Sequence, residues 1–216
     1  MKTVKVDFVS DVVCPWCAIG LASLEDAMSK VEGDIKVELH FRPFELNPQM
    51  GPEGEDIKEH LSRKYNLTEQ QLAENEANLL ARAEAAGVHF DLGLRSRTYN
   101  TFDAHRLLFW AAPQGKEYAL KKALLDGYFA KGMNPSDRAQ LLDKVAEVGL
   151  SREEAATILE SSLFTEEVRT AEEVYRKRGI NSVPSIVLND KYLITGGQSS
   201  DYFEMALRQV ADESEA

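Results

Sequence analysis

The chain carries two cysteines, Cys14 and Cys17, separated by Pro15 and Trp16. Two thiols at this spacing can make and break one disulfide, and so exchange two electrons with another thiol pair. Other roles fit less well. A structural disulfide gains most by closing a long loop, and this one would close almost none. A structural zinc normally takes four ligands. The four histidines, His40, His60, His89 and His105, are scattered without the paired spacing of a zinc motif, so no metal is expected. Trp16, between the sulfurs, reads either as an apolar contact for a substrate or as a half-buried ring packing the loop.

The flanking residues must position the pair. Residues 4–9 alternate and are rich in β-branched side chains, which predicts a strand. Residues 10–13 are the turn out of it. Residues 18–28 place apolar side chains at helical spacing. Pro15 lacks a backbone donor and presets φ, which suits a first helical turn. Cys14 is therefore expected at a helix N-terminus, with Cys17 about one turn in. Unpaired amides and the helix dipole favour an anion there, and thiolate is the form that attacks disulfides. Cys14 is expected to be the exposed attacker and Cys17 the more buried resolving thiol.

A second element should approach the sulfurs from the far end of the chain. A short loop at 179–183 leads into Pro184, and an apolar strand follows to Leu188. Proline is tolerated at the start of a strand, where its missing donor is harmless. Asn189-Asp190 predicts a turn, 192–195 a short strand broken by Gly196-Gly197, and 199–210 an amphipathic helix capped by Ser199 or Ser200. The charged run 166–173 is expected to be a solvated helix face, and 212–216 a frayed tail.

These elements resemble the DsbA-like branch of the thioredoxin superfamily. The blocks 11–20 (DVVCPWCAIG), 41–48 (FRPFELNP) and 100–107 (NTFDAHRL) are similar to those of its FrnE-like dithiol–disulfide oxidoreductases. The resemblance implies an α/β thioredoxin fold with a large all-helical insertion. The thioredoxin-like domain would comprise residues 1–48 plus 164–216, and the insertion residues 49–163. It also implies Cys14 as attacking thiol, Cys17 as resolving thiol, and Pro184 as a cis-proline facing them. Val183 would then influence redox behaviour and substrate contact.

Within the insertion, 69–86 is rich in helix formers and ends at Gly87, a C-cap residue. Leu107, Leu108 and Ala111 form one apolar stripe, and Leu120, Leu124, Tyr128 and Phe129 another. Both are expected to be core. Residues 135–137 and 149–151 read as later helix starts with serine caps. His105 and Arg106 have two readings. They line a cleft and tune the thiols, or Asn100 or Thr101 caps their helix while Arg106 pairs with an acid.

Composition bounds the function. With 44% hydrophobic and 28% charged residues, the chain can bury a core and is not disordered. Thirty-six acidic against 25 basic residues give a net charge of -11, which disfavours nucleic acid as a partner. No apolar stretch spans a bilayer, so no membrane partner is expected. Residues 1–7 alternate without the apolar run of a secretory leader, which predicts the cytoplasm. In that reducing compartment the pair should rest as the dithiol, fitting reductase or isomerase work on protein or small-molecule disulfides. No organic cofactor is expected. Electrons would come from a thiol pool, with glutathione a candidate co-substrate. The alternative is a glutathione-dependent isomerase or transferase resembling the kappa-class and 2-hydroxychromene-2-carboxylate isomerases. Cys17 argues against it, since those typically use one Ser or Cys. A partner-binding module that kept the fold is a third reading. The sequence leaves the oligomeric state open.

Overall fold

The structure, a computed structural model, describes residues 1–213. It divides into two compact units, one formed by Met1–Phe44 with Ala171 onward, the other by Glu45–Thr170. The first unit opens with β1 (Lys2–Ser10), α1 (Pro15–Val31) and β2 (Ile35–Pro43). The second holds β3 (Glu55–Asp56), α2 (Ile57–Tyr65), α3 (Glu69–Ala85), β4 (Arg97–Thr98), α4 (Phe102–Ala111), α5 (Glu117–Lys131), α6 (Arg138–Glu147) and α7 (Arg152–Glu160). Then α8 (Thr165–Lys177) carries the chain back, and β5 (Ser185–Leu188), β6 (Tyr192–Thr195) and α9 (Ser200–Glu213) complete the first unit.

The four-stranded sheet of the first unit has the order β2-β1-β5-β6. β1 runs parallel to β2 from Lys2↔Ile35 to Ser10↔Pro43, and α1 supplies the crossover that parallel neighbours require. β5 and β6 are antiparallel additions. Because β1 is central, its second half is buried on both faces: Val6, Asp7, Phe8 and Val9 are all sealed from solvent. Ile19, Leu21, Leu24 and Ala27 of α1 and Phe203, Leu207 and Val210 of α9 supply buried apolar side chains to this unit. The sequence predicts a tail over 212–216. Residues 212 and 213 instead continue α9, and 214–216 lie outside the described residues.

The second unit is helical apart from a two-residue ladder between β3 and β4. The α5 stripe of Leu120, Leu124, Tyr128 and Phe129 is buried, as are Leu107, Leu108 and Ala111 of α4. Caps set the helix starts. Thr68 and Gln71 form a reciprocal capping box on α3. Ser151 Oγ accepts the Glu154 amide at 3.2 Å on α7. Ser136 does not cap α6 as expected. Asp137 directly precedes the helix, and its Oδ1 takes the Gln140 amide at 3.1 Å, while Ser136 donates to the Asn100 carbonyl at 2.7 Å. On α4 the N-cap residue is Thr101, but it is Asn100 Oδ1 that accepts the Phe102 amide, at 2.9 Å. The charged run of α8 is not uniformly solvated. Glu172 is buried, because it falls on one stripe with Val168 and Tyr175.

The ends of the second unit are joined. Glu45, its first residue, has a buried carboxylate bonded to Arg169, its last but one. Asn100 Nδ2 donates to the same carboxylate at 3.3 Å. The Arg169 guanidinium lies 3.9 Å from the centroid of the Phe102 ring.

Candidate active site

Cys14 is the N-cap of α1 (φ -87, ψ 113), and Pro15 occupies the first helical turn. The Cys17 and Ala18 amides donate to the Cys14 carbonyl at 3.0 and 3.3 Å, so the Cys14 backbone closes the first turn. Its side chain makes no cap bond to this helix. Both cysteines are free thiols. Cys17 is 0% exposed, as one turn inside a buried helix face requires, and Cys14 is only 3% exposed. The expectation of an exposed Cys14 is therefore corrected. Its Sγ is covered by the loop before β5, donating to the Val183 carbonyl at 3.7 Å. Trp16, in contrast, is 39% exposed beside it.

The Val183-Pro184 peptide is cis. The Pro184 carbonyl accepts the Gly196 amide at 2.8 Å, and Ser185 Oγ donates to the Ser182 carbonyl at 2.8 Å. These bonds fix both ends of the loop that meets Cys14. Two glycines set how closely the pieces approach. A Cβ on Gly20 of α1 would lie 3.2 Å from Gly197 Cα and 3.3 Å from Pro184 Cγ. A Cβ on Gly197 would lie 2.9 Å from the Trp16 carbonyl oxygen. The cysteine helix, the proline loop and the turn after β6 thus converge with no room for side chains. Sequence reasoning takes Gly197 only as a strand breaker and passes over Gly20. A glycine inside a helix, where it is unfavourable, was the available signal.

Sequence reasoning also misses a buried charge cluster on β1. Asp7 is fully buried; Arg42 Nη2 and Nε approach its Oδ1 at 2.7 and 2.8 Å, and Lys5 Nζ lies 3.1 Å from Oδ2. The Lys5 contact is ionic without hydrogen-bond alignment. Tyr175 sits with Val9, Ile180 and Val187, against Val183 and Phe44. Burial above all, with the Asp7 charge adding to it, pushes its phenol up to about 12.

His105 and Arg106 belong to the other unit, on α4, and both are buried. Arg106 bonds to Asp103 at 2.7 Å, to the carbonyls of Ser161 (2.6 Å) and Leu163 (2.9 Å), and to that of Ile158. Its guanidinium therefore satisfies the carboxyl end of α7, matching the reading in which Arg106 pairs with an acid. Among the described residues no group of three His, Cys, Asp or Glu side chains is placed to hold a metal. No described helix is long and apolar enough to cross a membrane.

Comparison with known proteins agrees with this geometry. The chain is similar to a structure described as a probable DsbA oxidoreductase from Streptomyces coelicolor. That match has 33% identity and a TM-score of 0.89, covering 97% of this chain and 91% of that one. It is 26% identical over 206 residues to an uncharacterized Bacillus subtilis protein, YwbO, covering 95% and 96% of the two chains. At 18% identity it shares its fold with the cytosolic disulfide reductase DsbM from Pseudomonas aeruginosa, solved with glutathione. There the TM-score is 0.64, with 98% and 97% covered. The model of the DSBA-like thioredoxin domain matches residues 5–208, a stretch that takes in both cysteines, the insertion and the proline loop, and the chain belongs to that family.

Proposed function

We propose that the protein is a dithiol–disulfide oxidoreductase of the FrnE-like kind, working as a reductase or isomerase in the cytoplasm. One observation carries the reading. Cys14 lies at the N-terminus of α1, one turn before Cys17, with its Sγ against the Val183 carbonyl at 3.7 Å.

In the proposed reaction the Cys14 thiolate attacks one sulfur of a substrate disulfide. A mixed disulfide forms and the first substrate thiolate leaves. Cys17, deprotonated, then attacks Cys14 Sγ. The Cys14–Cys17 disulfide forms and the second substrate thiolate leaves, so two electrons have passed to the substrate. In isomerisation the substrate's own thiol resolves the mixed disulfide, and there is no net electron transfer. A thiol pool, with glutathione as the candidate donor, restores the dithiol. No metal or organic cofactor takes part. Val183, whose carbonyl accepts from the attacking sulfur, and the cis Pro184 that follows it would meet the substrate there, and the exposed Trp16 offers an apolar surface beside them. Pro15 presets the helical turn that holds Cys14. The second thiol at Cys17 weighs against a single-residue glutathione transferase or isomerase.

The test is a redox titration against reduced and oxidised glutathione, followed by Trp16 fluorescence and acid-quenched alkylation. A reversible two-electron transition with a midpoint near about -270 mV is expected for a reductase. Cys14→Ser should abolish turnover, and Cys17→Ser should accumulate a mixed disulfide. Turnover retained by Cys14→Ser would overturn the reading.

A further inference from the structure

The helical unit holds two buried arginines, and they are treated differently. The Arg106 guanidinium is taken up by one carboxylate and three carbonyls. Arg95 is 9% exposed, yet its guanidinium makes no hydrogen bond or ion pair with any described residue. Its Nε is sealed from solvent and unbonded. What holds it is aromatic: the guanidinium carbon lies 5.4 Å from the centroid of Tyr128 and 5.0 Å from that of Phe129. Phe129 is in turn stacked on Phe90 at 4.6 Å.

The backbone presents Arg95 rigidly. Asp91 Oδ1 accepts the Leu94 amide at 3.1 Å, and the Asp91 carbonyl accepts the Arg95 amide at 3.0 Å. The Asp91 amide donates to the Phe129 carbonyl at 2.8 Å, which fastens this turn to α5. The neighbouring Tyr128 hydroxyl donates to the Arg97 carbonyl at 2.9 Å and takes no hydrogen bond from Arg95.

A buried cation without a counter-charge is costly, and guanidinium groups at nine-tenths burial are ordinarily paired. Ring faces attract the cation, but they accept none of its N–H groups as a carboxylate would. The two terminal nitrogens are unbonded and, unlike Nε, retain access to solvent. That access makes them the donors available to an outside molecule. Planar donors of this kind match the two oxygens of a carboxylate or phosphate. We propose that Arg95 is the anchor of a small-oxyanion binding site in the helical unit, with Tyr128 and Phe129 holding the guanidinium in place. The ligand class is a free carboxylate or phosphate monoester, taken up bidentately. The site does not depend on the cysteine chemistry.

The proposal is tested on the full-length protein with inorganic phosphate and with acetate as separate probes. Binding is followed by calorimetry and by thermal unfolding at constant ionic strength, set with chloride. Wild type should bind at least one of the two saturably and gain Tm with its concentration. Which probe binds tells phosphate from carboxylate. Arg95→Met keeps the apolar stem over the rings, and should bind at least tenfold more weakly with no Tm gain. Arg95→Lys keeps the charge without the fork, and serves if the methionine variant does not fold. In wild type, the NMR signal of the Arg95 side-chain Nε–H should shift with the same saturation curve. No saturable binding of either probe, equal binding by the folded variant, or an unmoved Arg95 signal would each overturn the proposal.

Discussion

Tyr175 places a neutral phenol beside a carboxylate that cannot leave the core, and its proton is held correspondingly hard. The unfolded phenol titrates near its ordinary 10.0 and the folded one near about 12. Between these values the folded chain keeps a proton that the unfolded chain has released, so stability falls as pH rises through this window. Lys5, raised chiefly by its hydrogen bond to Asp190, loses its contribution in the same direction. Tyr175→Phe leaves the Lys5 decline in place and removes the phenol's. Urea unfolding at about pH 9 and about pH 11.5 should show the wild type losing roughly 2 kcal/mol more than the variant. Equal losses would mean that the phenol does not titrate as described. The cysteines were legible from spacing and flanks alone, because strand, turn and helix each have local signals. Asp7 was not. Alternation marks which residues share a face, and β1 is buried on both faces only because β2 and β5 pair with it from distant parts of the chain.

Helix α1 approaches the turn after β6 more closely than side chains allow, and two glycines make that approach. Gly197→Ala puts a methyl group 2.9 Å from the Trp16 carbonyl oxygen, a backbone atom that cannot swing aside. The expected result is a loss of about 1–3 kcal/mol in urea unfolding, together with altered Trp16 fluorescence as the motif shifts. A variant as stable as wild type with unchanged emission would show that the contact is not tight. Among the elements, most starts and stops could be read from residue type. Gly87 ends its helix, and Ser151 and Ser199 cap theirs. The α6 cap was misread by one residue, because Ser136 and Asp137 are both good caps and only the Asn100 carbonyl decides between them. Burial of Cys14 was illegible for a related reason. A helix N-terminus is exposed by default, and here a loop at 182–184 covers it.

Across the whole molecule, the ion pair of Glu45 and Arg169 joins the first and nearly the last residue of the helical unit. The Glu45 carboxylate is sealed while Arg169 is partly solvated, so removing the arginine leaves a buried charge without this cationic partner. Arg169→Met should therefore destabilise by about 2–3 kcal/mol in chemical unfolding, and the double variant Glu45→Gln/Arg169→Met should recover part of it. A neutral single variant would remove the pair from the account. The sequence shows Glu45 within a family-like block but gives no hint of its partner, more than a hundred positions away. In the language of polymers, the stretch from 45 to 170 is a closed ring tied by one knot. Its contour is long, but its ends coincide. Closing a long loop adds little entropy beyond closing a short one, and here the tie holds the ends together once the unit is folded. The unit that carries the cysteines is therefore interrupted along the chain by a segment whose two ends meet. Residues added or removed between the two ends of that segment would leave its entry and exit points at the same tie.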